Sequence, residues 1–196
     1  MSFSLPVALQ ESTYSIASLL GMFVIVKLSN YGEIGIYSAT SQWGAILLFV
    51  LGALRNVALS YLSGSSNDTK TNKSILKKLV CVNLVATLIP FLILSILANY
   101  VTMMYGESYQ GMQGVLIVVL FTSVVHSVTN VCTQELIAHE KNWYLFFTRL
   151  GRDFLSLLTG AIAIYLWGNG ALTMSITGLM FAIFYLFMLY IKISRL

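Results

Sequence analysis

The sequence predicts an all-α, polytopic membrane protein, and three observations carry that expectation. Mean hydropathy is +0.83, and 58% of residues are hydrophobic while only 9% are charged, whereas soluble domains carry roughly 25% charged residues. Six stretches of predominantly apolar sequence recur, each near the ~20 residues with which a helix crosses a ~30 Å hydrocarbon layer. No segment shows the strict apolar–polar alternation of a lipid-embedded strand, so helices are the remaining way to satisfy the backbone inside lipid.

The expected spans are residues 6–28, 37–62, 79–100, 115–137, 143–167 and 171–193, forming a single six-helix bundle over residues 1–196. The first is led by Pro6 and has neither a basic leader nor a small-residue cleavage site, so it is expected to stay in the protein. "SNYGEIG" separates it from the second span, and a shorter echo, "YGESYQG" at 105–111, separates the third from the fourth. Glycine permits positive φ, so both are expected as tight reversals. "AHEKN" and "GNG" separate the later spans, and only the connection 63–78, "SGSSNDTKTNKSILKK", is long enough to be mobile.

Charge placement sets an expected orientation, because basic residues flanking spans are retained in the cytoplasm. With both termini inside, all of the 11 lysines and arginines except Lys27 fall toward the cytoplasmic side, as expected of a multi-pass protein of the cell inner membrane. The net charge of +4 is not clustered on a solvated face as nucleic-acid binding requires. Lys70, Lys73, Lys77 and Lys78 suit anionic lipid head groups, although their main expected role is topological. Cys81 and Cys132 lie in apolar runs without metal-site or disulfide spacing and are expected as buried, inert thiols.

A more specific pattern joins the proline-led "SLPVALQESTYSIASLLG" to Gly32, Gly35 and Tyr37, and then to a small-residue helix ending "RNVALSYLS". A basic loop follows, and Gly106 and Tyr109 open "GVLIVVLFTSVVHSVTNVCTQELIAHEKNW". Over nearly its whole length the chain thus resembles the second half of an O-antigen type polysaccharide flippase of the multidrug/oligosaccharidyl-lipid/polysaccharide exporter superfamily. The resemblance implies a MATE-like transporter fold of about twelve helices in two six-helix lobes around a central cavity. This chain would supply the C-terminal lobe, with the partner lobe being a missing N-terminal half or a second copy. It implies a lipid-linked oligosaccharide substrate and no cofactor.

Polar residues within spans carry the functional reading, since burying them in lipid costs several kcal/mol. Ser123, His126, Ser127, Asn130 and Gln134 recur at spacings of three and four on the fourth span, and Arg149, Arg152, Asp153, Ser156 and Thr159 do so on the fifth. By helical rise, Arg149 and Arg152 lie about 10 to 15 Å along their span, with Arg55 at comparable depth on the second. Guanidinium forks bind phosphate bidentately, so Arg149, Arg152 and Arg55 are expected to hold the diphosphate of the substrate. Asn130, Gln134 and His126 would meet its sugar. Glu11 and Asp153 are the expected ion-coupling carboxylates. The competing expectations are close packing for the small residues, and pairing of the arginines with Asp153 or Glu135, or their snorkelling to the interface. The sixth span is expected to face lipid or to act as a scaffold.

No glycine-rich phosphate loop, HExxH or paired loop carboxylates occur, so no enzyme and no metal are expected. Two other functions fit the same sequence: a multidrug or small-solute exporter of that superfamily, and a non-transporting membrane scaffold subunit.

Overall fold

The computed structural model describes residues 4–65 and 69–195, excepting the side chains of residues 4, 7, 11, 50, 51, 53–57, 65, 69 and 70. Its helices are α1 (Ser4–Leu28), α2 (Tyr31–Ser65), α3 (Thr69–Ile96), α4 (Ala98–Tyr105), α5 (Met112–Ala138), α6 (Asn142–Trp167) and α7 (Gly170–Ser194). One 3-10 turn, Glu107–Tyr109, lies between α4 and α5, and no strand occurs among the described residues. Five of these helices contain segments long and apolar enough to cross a membrane, namely Ala8–Leu28, Thr71–Ile96, Met112–Ala138, Asn142–Trp167 and Gly170–Ser194. The chain is therefore an all-α protein consistent with a multi-pass membrane protein. The expected span 37–62 lies within α2, some of whose side chains fall outside the described set.

Two expected connections are instead helical. "YGEIG" is not a reversal: α2 starts at Tyr31, and Asn30 Oδ1 accepts the Glu33 N–H at 2.9 Å. An asparagine just ahead of a helix satisfies one of the first-turn donors in this way, so the turn shrinks to Ser29 and Asn30. In its echo the glycines do reverse the chain, with φ +88° at Gly106 and +90° at Gly111. The segment 63–78 is also mostly helical, since α2 runs to Ser65 and α3 begins at Thr69, which places Lys73, Lys77 and Lys78 on a helix. The third span continues past Leu97, where α3 gives way to α4. Leu97 N–H still bonds to Ile93 O at 3.0 Å, and Val101 N–H bonds to Leu97 O at 2.9 Å.

α5 is the centre of the bundle, packed on α2, α3 and α7, while α6 packs on α1 and α7. The sequence α5, α2, α1, α6, α7 closes a ring, and α3 lies outside it against α2 and α5. α7 is thus a ring member that also shows one face outward, where Met180, Phe184 and Phe187 are exposed, which fits both roles expected of it, facing lipid and acting as a scaffold. It packs through small and apolar residues such as Ala171, Met174, Ala182 and Leu189, all buried.

α3 shows why the bundle suits lipid. Asn72, Asn83 and Thr87 are buried at 5%, 3% and 0% exposure, while Val82, Val85, Ile89, Leu92, Ile93 and Ile96 are exposed. A water-soluble helix places these classes the other way round. Thr87 Oγ1 and Ser127 Oγ lie 3.0 Å apart, and Asn72 Nδ2 donates to Glu135 Oε1. A polar seam thereby joins α3 to α5, as interhelical contacts in lipid commonly do. Cys81 sits on the outward face and is exposed, contrary to expectation, whereas Cys132 is buried; both are free thiols.

Candidate functional site: a polar cavity inside the helix ring

The ring encloses a cavity of about 490 Å³, to which each of its five helices contributes. One end is closed where the α1–α2 turn meets the α6–α7 turn. Ile25, Ile164 and Met174 form a buried cluster there. Met174 fills the space left by two glycines, since a Cβ on Gly160 would lie 2.7 Å from Met174 Sδ and one on Gly21 would lie 3.1 Å from its Cε. Gly44 permits a similarly close approach of α2 to α5, with Ser123 Oγ and Val119 Cγ1 each 3.0 Å from where its Cβ would be.

The polar part of the wall comes mainly from Ser41 on α2, Ser123 and His126 on α5, and Arg152, Asp153 and Ser156 on α6. The serines have a defined polarity. Ser41 Oγ donates to Tyr37 O at 2.7 Å, and Ser123 Oγ donates to Val119 O at 3.1 Å with Gly44 O of α2 a second acceptor at 3.4 Å, so each hydroxyl gives its proton to a backbone carbonyl and offers lone pairs as acceptors.

Arg152 and Asp153 form a pair in which Nε donates to Oδ1 at 2.8 Å and Nη2 donates to the same oxygen. The second carboxylate oxygen, Oδ2, is buried and has no hydrogen-bond partner among the described residues. The pair is 11% and 12% exposed, and the guanidinium also lies 4.9 Å from the centre of the Tyr185 ring. Two of its five N–H donors are committed to Asp153, leaving others for a ligand. Arg149, one turn away, is not on the cavity wall; its guanidinium lies 5.0 Å from the ring centre of Tyr14, which is on that wall.

The structure therefore brings together three of the expected site residues, His126, Arg152 and Asp153, and places Arg149 over the Tyr14 ring. Asn130 and Gln134 do not line the cavity. Gln134 is 1% exposed and donates to Asn130 Oδ1 at 3.3 Å, so the expected single stripe on α5 divides between the cavity, the α3 seam and the core. No ion pair between Glu135 and Arg152 occurs among the described residues. Glu135 is 2% exposed and turned to Asn72 and His139. The side chains of Glu11 and Arg55 lie outside the described residues. Ser41, an expected inward polar residue of the second span, lines the wall alongside Ser123, whereas sequence reasoning missed the α3 partners Asn72 and Thr87. Asn72 and Asn83 are eleven residues apart, three helical turns, and Thr87 is one turn further, so their shared face was open to reading.

Among the described residues, no group of three or more His, Cys, Asp or Glu side chains is placed to hold a metal ion. Comparison with known protein families, with curated proteins and with solved structures finds no match.

Proposed function

We propose that the chain is one six-span lobe of a transporter that moves a lipid-linked oligosaccharide across the cell inner membrane, with both termini cytoplasmic. The single observation that carries this reading is the polar cavity at the centre of a ring of membrane-length helices. A charged pair and several hydroxyls buried there have a large desolvation cost unless the space serves a polar ligand or pathway. Ser41, Ser123 and Ser156 suit sugar hydroxyls, and the remaining donors of Arg152 suit a phosphate oxygen. A facing lobe, from another segment or a second copy, would complete the site, and rocking of one lobe against the other would open it to alternate sides.

The free Oδ2 of Asp153 favours a second reading, in which the chain is a lobe of a small-solute exporter and the carboxylate takes a cation. Photo-crosslinking in membranes separates the two. A photoreactive polyprenyl diphosphate oligosaccharide should label α5 and α6 peptides and be competed by the unlabelled compound. Competition by a lipophilic organic cation alone would move the assignment to the exporter, and absence of any specific labelling overturns the oligosaccharide reading.

A further inference from the structure

A second hollow lies on the outside of the ring, between α3 and α7, with α5 as its floor. Val80 and Leu76 of α3, Ile183, Phe187 and Tyr190 of α7, and Val128 and Cys132 of α5 line it. From Ile183 to Ile193 it runs about 15 Å by helical rise, close to half of a ~30 Å hydrocarbon layer. One end carries two cations, Lys73 and Lys77, which also line it. They are exposed and, being four residues apart on a helix, share one face.

No salt bridge to either lysine is present among the described residues. α7 contains no acidic residue, and the carboxylate of α5, Glu135, is buried against Asn72 and His139. Lys192, nearby in sequence to Ile193, lies over the Tyr144 ring at 5.2 Å. The hollow is thus an apolar trough of one leaflet's depth, ended by two positive charges that no carboxylate among the described residues pairs with.

We propose that this trough is a binding site for an anionic diacyl phospholipid. An acyl chain lies between α3 and α7 over Val128 and Cys132, and the phosphate sits on Lys73 and Lys77. The charge pattern identifies the occupant. A second copy of this chain would bring the same two lysines against themselves or leave them unmatched, whereas an anionic lipid satisfies both parts of the trough. The site stands apart from the cavity inside the ring and holds whether or not the chain moves oligosaccharides.

Native mass spectrometry of the purified full chain in detergent tests it, using phosphatidylglycerol and phosphatidylcholine with identical acyl chains. The chain should retain phosphatidylglycerol in preference to phosphatidylcholine. The double variant Lys73→Gln/Lys77→Gln should lose that preference by about thirtyfold, the order expected for two lysines near an anionic phosphate. Lys78→Gln, on the same helix but outside the trough, should keep it. Val80→Phe, which narrows the trough, should reduce retention of both lipids, and soluble glycerol phosphate should not compete. Equal retention of the two lipids by the unaltered chain overturns the site, as does an unaltered preference in the double glutamine variant. Effective competition by glycerol phosphate, or a lipid-free dimer that Val80→Phe dissociates, overturns the acyl trough. All of these lysine changes are at exposed positions, so folding is preserved and a negative result is decisive.

Discussion

Glu33 on α2 accepts the backbone N–H of Ala171 on α7, with Oε2 at 2.8 Å. One acidic residue therefore joins two helix starts, because its own N–H is held by Asn30 while its carboxylate meets a free first-turn donor and the positive end of the α7 dipole. Hydrogen bonds to a charged acceptor contribute about 1.5–3 kcal/mol. Glu33→Ala should lower the unfolding free energy in detergent by an amount in that range, with a corresponding fall in thermal midpoint, Glu33→Gln by less, and Asn30→Ala by about 1 kcal/mol. An unchanged midpoint in Glu33→Ala would remove the residue from the clamp.

The same clamp ranks two glycine substitutions. Alanine gains roughly 1 kcal/mol over glycine inside a helix, so the sign of each change depends on what the new Cβ meets. At Gly170 it would lie 2.8 Å from Ser29 Cβ and 3.1 Å from Ile25 Cγ2, atoms fixed close to the α1 backbone. At Gly160 the closest atom belongs to the flexible Met174 side chain. Gly170→Ala should destabilise by about 1–3 kcal/mol, the usual cost of overpacking, and Gly160→Ala should be near neutral. The reverse ranking in chemical or thermal unfolding would contradict the close contact of α1 with α7.

Hydropathy made the helices and their class legible, because length and apolar content report directly on membrane crossing. It misplaced helix ends where capping decides them. "YGEIG" reads as a turn by its glycines, and only the Asn30–Glu33 bond makes it the first turn of α2. The cavity was half legible. Spacing put Ser123, His126, Arg152 and Asp153 on two polar faces, but spacing on one helix cannot say which neighbour each face meets. Gln134 therefore turned to Asn130, and Glu135 to Asn72. For α7 the sequence left facing lipid and scaffolding as alternatives, because small and apolar residues at a packed interface look the same in sequence as those facing lipid.

The seam between α3 and α5 gives a quantitative expectation. Thr87 and Ser127 each have a carbonyl of their own helix in reach, and each hydroxyl has a single proton, so one of the two donates across the seam in place of its intrahelical bond. Interhelical hydrogen bonds in membranes average about 0.6 kcal/mol by double-mutant cycle. A cycle with Thr87→Val and Ser127→Ala should give coupling of that order. Coupling indistinguishable from zero would mean that the two hydroxyls merely sit side by side.

The proposed orientation rests on the lysines at the end of the bundle opposite Glu107. With Cys81 replaced by serine to remove the exposed thiol, a cysteine at Lys141 should react with an impermeant reagent only from the cytoplasmic side. One at Glu107 should react only from outside. Both positions are exposed, so failure to label reports sidedness rather than burial. Reversed labelling would invert the bundle and move the lysine end of the α3–α7 trough to the other leaflet.

The arginines of α6 separate ligand binding from support. Lysine keeps the charge and a long stem but lacks the planar fork with which Arg152 meets Asp153 while retaining donors for a phosphate. Arg149 lies over the Tyr14 ring, so its replacement by lysine should alter the shape of the wall more than its charge. If Arg152 holds a diphosphate, Arg152→Lys should weaken competition by unlabelled polyprenyl diphosphate oligosaccharide by about tenfold, about 1.4 kcal/mol. Membrane level should stay normal, and Arg149→Lys should have a smaller effect. If the arginine serves only its pair with Asp153, the thermal midpoint should fall while competition is unchanged. That second result would remove Arg152 from the ligand site and leave His126 and the acceptor serines Ser41 and Ser123 as the groups on which substrate recognition rests.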